Sequence, residues 1–389
     1  MSRQIRPILR AVCSLAWLAV LAVPLVSPLA AATVPIEGPD STPAPSLVVS
    51  GFVVASYMYS SKTVDSTTNL VVGRLFDRYS NAFMVNAARL TLDRAFVASK
   101  LDAGAHVDLT FGQDAEVIHS TGPFALGPNG DIQQAYFVLN MPTKNGKGVQ
   151  IKFGKMVTLM GLEVIDTPLQ PNFSEGNLFN FVENFTATGI ELDFKPSNVV
   201  DVELRIDNGW DRVVVNDGQK SFMGRIGFAS GNTSLGLLGY WGNMEAETSD
   251  AARMGAEALL NQKFGKSSFW VQADWGTEKA NAALPDPTQD AKWWGVSGWL
   301  ATDASPALNV ALRADYVDDT NGFRTSGVLG FPASDGSAQK IWSLTGTLNI
   351  KAFKGALVRP EVRYDHSNLM VFDGETSQVS AGISAVYLF

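Results

Sequence analysis

Four carboxylates, Glu163, Asp166, Glu175 and Glu183, stand in one stretch from Thr158 to Thr186 that also holds Leu159, Leu162, Val164, Ile165, Phe173, Leu178, Phe179, Phe181 and Phe185. Such a stretch is too charged for a dry core and too apolar for a solvated tail. A loop folded against the inside of a wet barrel satisfies both demands. Opposite it, Arg89, Lys152, Arg205, Arg225, Arg313, Arg359 and Arg363 supply cations that strand alternation turns the same way. Opposed rows of fixed charge in a narrow pore make a transverse field that orients dipolar solutes and sets ion preference. The expectation is a pore-constriction loop at 158–186, with at least one of its four acids capping the loop's own turns and a weak cation preference from the surplus of acids.

The remaining chemistry-bearing residues point nowhere as specific. His106 and His119 have no second histidine or carboxylate at ligand spacing, so no metal is expected. Asp318-Asp319-Thr320-Asn321-Gly322 lacks the acidic spacing of a full calcium loop. Asp365-His366, with Asp318-Asp319, resembles the acids and histidine of omptin-type outer-membrane proteases. Neighbours on a strand point to opposite faces, however, so Asp365 and His366 cannot line one cleft. No enzyme activity and no cofactor are expected.

The elements that position these residues are strands. From Leu47 onward the chain falls into about sixteen segments of about ten residues, each alternating polar and apolar side chains, the signature of a transmembrane barrel. In Leu357 to Ser367, Arg359, Glu361, Arg363 and Asp365 share one face, while Val358, Pro360, Val362 and Tyr364 share the other. Breaks between segments alternate short and long, as expected for short periplasmic turns and long extracellular loops. On the apolar face, rising strands end in Tyr57, Trp241, Trp275, Tyr316 and Tyr364 and descending ones in Phe194, Phe228, Phe264 and Phe389, two interfacial girdles. The pattern predicts single strands over 82–98 and 103–118. The last strand closes the chain on Tyr387 and Phe389, which resemble the carboxyl-terminal aromatic signal read by the barrel assembly machinery, with Ser384 where that signal often carries glycine.

Arg3, Arg6 and Arg10, the apolar run Ala11 to Val26 and the small residues Ala30, Ala31 and Ala32 compose a secretory signal peptide over 1–32. Cys13, the chain's one cysteine, lies in it, so no disulfide is expected downstream. Residues 33–46 hold four prolines and read as an extended periplasmic leader. Beyond the leader arginines, 27 basic side chains stand against 38 acidic ones, which argues against a nucleic-acid partner.

GFVVASYMY (51–59), NAARLTLDR (86–94), IQQAYFVLNMP (132–142) and the run from Ile151 to Leu192 resemble the OmpL-like β-barrel porins of Gram-negative bacteria. Within that run the likeness is carried by Gly154-Lys155, Gly161 to Glu163 and Thr188 to Ile190. The resemblance implies passive diffusion of small solutes across the outer membrane. The whole reading is an all-β, antiparallel up-and-down barrel at 47–389, in contact with outer-membrane lipid, lipopolysaccharide and the assembly machinery, with self-association open. A general porin and a channel selective for sugars or aromatic acids remain alternatives. The second would line its lumen with Trp270, Trp293 and Trp299.

Overall fold

The computed structural model describes residues 46–389 except 66, 119–127, 144–147, 216–217, 243–251, 282 and 329. The signal peptide at 1–32, Cys13, His119 and all but Ser46 of the stretch 33–46 lie outside the described residues. Sixteen antiparallel strands form a closed barrel in which each strand pairs with its sequence neighbours and the last with the first. They are β1 (Val48–Ser60), β2 (Ala82–Arg94), β3 (Asp102–Phe111), β4 (Gly130–Met141), β5 (Val149–Val157), β6 (Thr186–Phe194), β7 (Val200–Asp207) and β8 (Ser221–Ser230). The second half adds β9 (Thr233–Gly242), β10 (Arg253–Phe264), β11 (Ser267–Glu278), β12 (Ala291–Ser305), β13 (Leu308–Asp319), β14 (Gln339–Phe353), β15 (Ala356–Ser367) and β16 (Ser377–Leu388). One end carries turns as short as 231–232 and 265–266, the other carries loops such as 61–81, 158–185 and 320–338.

Closure removes the unpaired edges that hydrocarbon cannot solvate. Gly51 and Phe389 exchange backbone hydrogen bonds at 3.1 and 3.0 Å. A Cβ on Gly51 would collide with the Arg89 carbonyl and lie 2.7 Å from the Phe389 ring, so this close approach needs a glycine.

Alternation sets the two faces as the sequence leads one to expect. On β15, Arg359, Glu361, Arg363 and Asp365 are buried inside the barrel while Val362 is exposed outside. Outward aromatics gather near the loop end as pairs: Tyr57 with Phe83, Phe222 with Trp241, Trp294 with Tyr316, and Trp342 with Tyr364. Tyr387 and Phe389 are exposed at the turn end.

Two expected strands are shorter. The one over 82–98 ends at Arg94. The one over 103–118 ends at Phe111, where Gly112, at φ 123°, breaks the extended run. Residues Gln113–Ile118 then form a short helix, α1. Burial explains the switch: Ile118 packs with Phe76, Ile165 and Phe179 rather than facing lipid, so tertiary contact overrides the β pattern.

Candidate functional site: the lumenal loop and its wall

Residues 158–185, between β5 and β6, turn into the barrel and cross it. A 3-10 turn at Thr167–Leu169 and a five-residue helix, α2 (Asn177–Phe181), are the loop's only regular pieces among the described residues. Its apolar side chains each find a different partner. Met160 packs with Trp210, Met223, Leu238 and Tyr240, Leu162 against Trp270 and Trp299, and Leu178, Phe181 and Val182 with Trp293 and Phe331.

A loop with so little regular structure leaves its backbone polar groups without local partners, and buried ones must be satisfied. The wall satisfies them. Glu361 accepts the Phe173 and Ser174 N–H groups at 2.7 and 3.1 Å. Arg359 donates to the carbonyls of Thr167 (2.7 Å) and Gln170 (3.0 Å), and Arg363 to the Glu175 carbonyl at 2.6 Å and Asn177 Oδ1 at 3.0 Å. Asn349 donates to the Pro171 carbonyl at 2.9 Å. On the other flank Glu257 accepts from Gly161 N (2.6 Å) and Gln272 from Leu162 N (3.0 Å). These contacts run from β10 and β11 round to β14 and β15, on the side of the barrel facing the loop's root.

The four acids of the loop sit differently from one another. Glu163 receives Arg313 Nη1 at 2.5 Å and the Gly176 N–H at 2.7 Å, so it pairs with the wall and also closes its own loop. Asp166 is ion-paired to Arg89, itself held by Asp108 at 2.9 Å. Among the described residues Glu175 forms no ion pair with a wall cation, and its carboxylate takes the Gln170 amide at 3.3 Å and its own backbone N–H. Burial, then the nearby Asp114 and Asp77, push that carboxyl well above its ordinary range. Glu183 faces other acids, Glu257 and Asp274. The expected rows facing each other across water are therefore corrected: two acids touch their arginines directly, and Glu175 and Glu183 form no ion pair among the described residues.

The basic wall divides likewise. Arg89, Arg313, Arg359 and Arg363 hold the loop. Lys152, Arg205 and Arg225 do not meet its acids, because strand register places carboxylates directly opposite them. Glu191 lies opposite both Lys152 and Arg205 and accepts from Lys152 Nζ at 2.7 Å and Arg205 Nε at 2.8 Å. Glu203 lies opposite Arg225, at 2.8 Å. Part of this β5 to β8 sector is also wetter, although Glu191 and Arg205 are buried at 1% and 2% side-chain exposure. Side-chain exposure is 25% at Lys152, 20% at Asp193, 18% at Asp201 and 19% at Glu203, against 0% at Arg313.

Trp270, Trp293 and Trp299 do face inward, but all three are buried, at 8%, 0% and 1% exposure. The loop and its neighbours seal them, so they offer a passing solute no aromatic slide. Asp365 points inward to Arg363 and Arg74, while His366 lies outside against Trp342, which separates the protease-like pair. Missed in the sequence were Arg253 and Arg324, stacked over Trp210 at 4.6 and 5.0 Å, with Arg324 also donating to the Phe181 carbonyl at 2.6 Å. Arg253 could have been found from its inward parity with Glu257. Arg324 lies in a loop and carries no such signal.

Residues 46–389 match the family described as "Putative beta-barrel porin-2, OmpL-like". The chain belongs to that family. No curated protein matches the sequence. Among solved structures, the trimer form of OmpT, an outer membrane protein of Vibrio cholerae, is similar at TM-score 0.60 and 11% identity, with 89% of this chain and 100% of that one covered. The anion-selective porin from Comamonas acidovorans gives 0.58 and 11% over 88% and 99%. The outer membrane channel DcaP of Acinetobacter baumannii gives 0.57 and 14% over 90% and 99%. At such identities the likeness is one of fold. Family and fold together make this porin an outer-membrane channel protein.

Proposed function

We propose that this porin lets small hydrophilic solutes and ions diffuse passively through a charged lumen that the 158–185 loop narrows. The observation that carries the reading is the loop's fastening across the barrel, by Glu257 and Gln272 on one flank and by Arg313, Arg359, Glu361 and Arg363 on the other. A loop held at both flanks by buried, charge-assisted bonds, each contributing about 1.5 to 3 kcal/mol, is a fixed obstruction rather than a mobile flap. Selectivity then falls to the water-exposed charges of the β5 to β8 sector, where Asp193, Asp201 and Glu203 outnumber Lys152 and Arg225, giving a weak preference for cations.

The test is conduction in planar bilayers. Asp193→Asn, Asp201→Asn and Glu203→Gln combined should lower cation over anion permeability more than Glu163→Gln, whose carboxylate is buried against Arg313 and out of reach of passing ions. Equal or reversed effects would overturn the assignment of selectivity to this sector. By analogy with the trimer form of the similar Vibrio cholerae barrel, the porin is proposed to self-associate. Unheated electrophoresis or native mass spectrometry in detergent that finds a monomer alone would refute that.

A further inference from the structure

We propose that Glu183, Glu257 and Asp274 bind one divalent cation of the calcium class, tying the end of the lumenal loop to β10 and β11. Glu183 follows α2 in the loop, and Glu257 and Asp274 are directly opposed in the β10–β11 register. A carboxylate oxygen from each lies within 4.8 Å of the others. Oxygens bound to one calcium ion at about 2.3 to 2.6 Å can be at most about 5 Å apart, so the three already fit around one ion.

Proximity of acids is not the only indication. Glu183 Oε2 is buried and has no hydrogen-bond partner, in a residue only 2% exposed. A second unpartnered buried polar atom, the Tyr240 hydroxyl, lies against Gly255, the inward position next to Glu257 on β10. Buried polar atoms are nearly always satisfied, so such orphans call for a missing ligand. Among the described residues no ion pair joins a basic side chain to the three: Arg253 pairs with Glu278, and Arg225 with Asp201 and Glu203.

The remaining oxygens are held as an outer layer of a metal site holds its ligands. Gln272 Nε2 donates to Glu183 Oε1 at 2.6 Å and Asp274 Oδ2 at 2.9 Å, and is oriented by the Leu162 N–H on its own carbonyl. Gly161 N–H fixes Glu257 Oε2. An irregular set of carboxylates suits calcium better than magnesium, which demands a near-ideal octahedron.

Binding is read without reference to what passes through the barrel. The full-length barrel in detergent, stripped with EDTA, is titrated with calcium chloride by calorimetry and with terbium, whose luminescence is excited through tryptophan. Trp293 packs against Gly276, two residues from Asp274. One saturable site per chain is expected, weakened about tenfold or more by Glu183→Gln and by Asp274→Asn, and unchanged by Asp286→Asn in an exposed loop. No saturable calcium binding by the wild-type barrel, or binding equally tight in both folded variants, overturns the proposal.

Discussion

Glu163 and Glu175 stand twelve positions apart in one buried loop, yet replacing each by an amide has unequal consequences. Glu163 neutralises Arg313, whose side chain is fully buried. Losing one partner of a buried pair leaves a charge uncompensated, so Glu163→Gln should cost about 3 kcal/mol, the lower end of the usual range because Asp315 remains 3.3 Å from Arg313. Glu175 is pushed toward its neutral form by burial and by Asp114 and Asp77. An amide therefore replaces it nearly like for like, and Glu175→Gln should change stability by less than about 1 kcal/mol. Urea unfolding of the two variants in detergent checks the contrast; equal losses would mean that Glu175 is charged in place.

The lumenal loop as an element is defined by its fastening. Deleting its centre, residues 170–176, removes the hydrogen bonds to Glu361 and one carbonyl bound by Arg359 while leaving the strand ladders intact. Single-channel conductance should rise; unchanged conductance would mean that the loop does not narrow the conducting path. The final strand is a second such element. Phe389, the residue after it, closes the ladder on Gly51 and presents an aromatic ring outside. A charge there opposes both membrane insertion and closure, so Phe389→Asp should reduce the amount of barrel in the outer membrane. Normal levels of that variant would refute a role for Phe389 in assembly.

At the scale of the molecule, closure with no free edge makes unfolding highly cooperative, because opening one strand pair exposes two rows of unpaired backbone to hydrocarbon. Unboiled protein in detergent should migrate apart from boiled protein on a gel. Arg313→Ala with Arg363→Ala, which removes two of the loop's buried fastenings but leaves every strand pair, should keep that shift. Loss of the shift in the double variant would show that the loop, rather than strand closure, holds the barrel.

Alternation with period two is a local property, so the strand count, the even closure and the inward facing of Arg313, Arg359 and Arg363 were all legible in the sequence. The same parity places Trp270 in phase with Gln272 and Asp274. What parity cannot convey is which strand lies across the lumen from which, because that depends on curvature and register accumulated over sixteen strands. Hence Glu183, reaching across from the loop, met two acids of β10 and β11 instead of a cation. Lys152, Arg205 and Arg225 were taken instead by Glu191 and Glu203 on neighbouring strands, through the register that parity alone leaves open. Residues 113–118 alternate well enough for a strand, but only the apolar niche formed by Phe76, Ile165 and Phe179 made a helix the better burial. The sequence by itself determined a barrel with charges inside and a loop fit to enter it; the tertiary structure decided each charge's partner, because pairing across a closed wall is a long-range contact with no trace in local spacing.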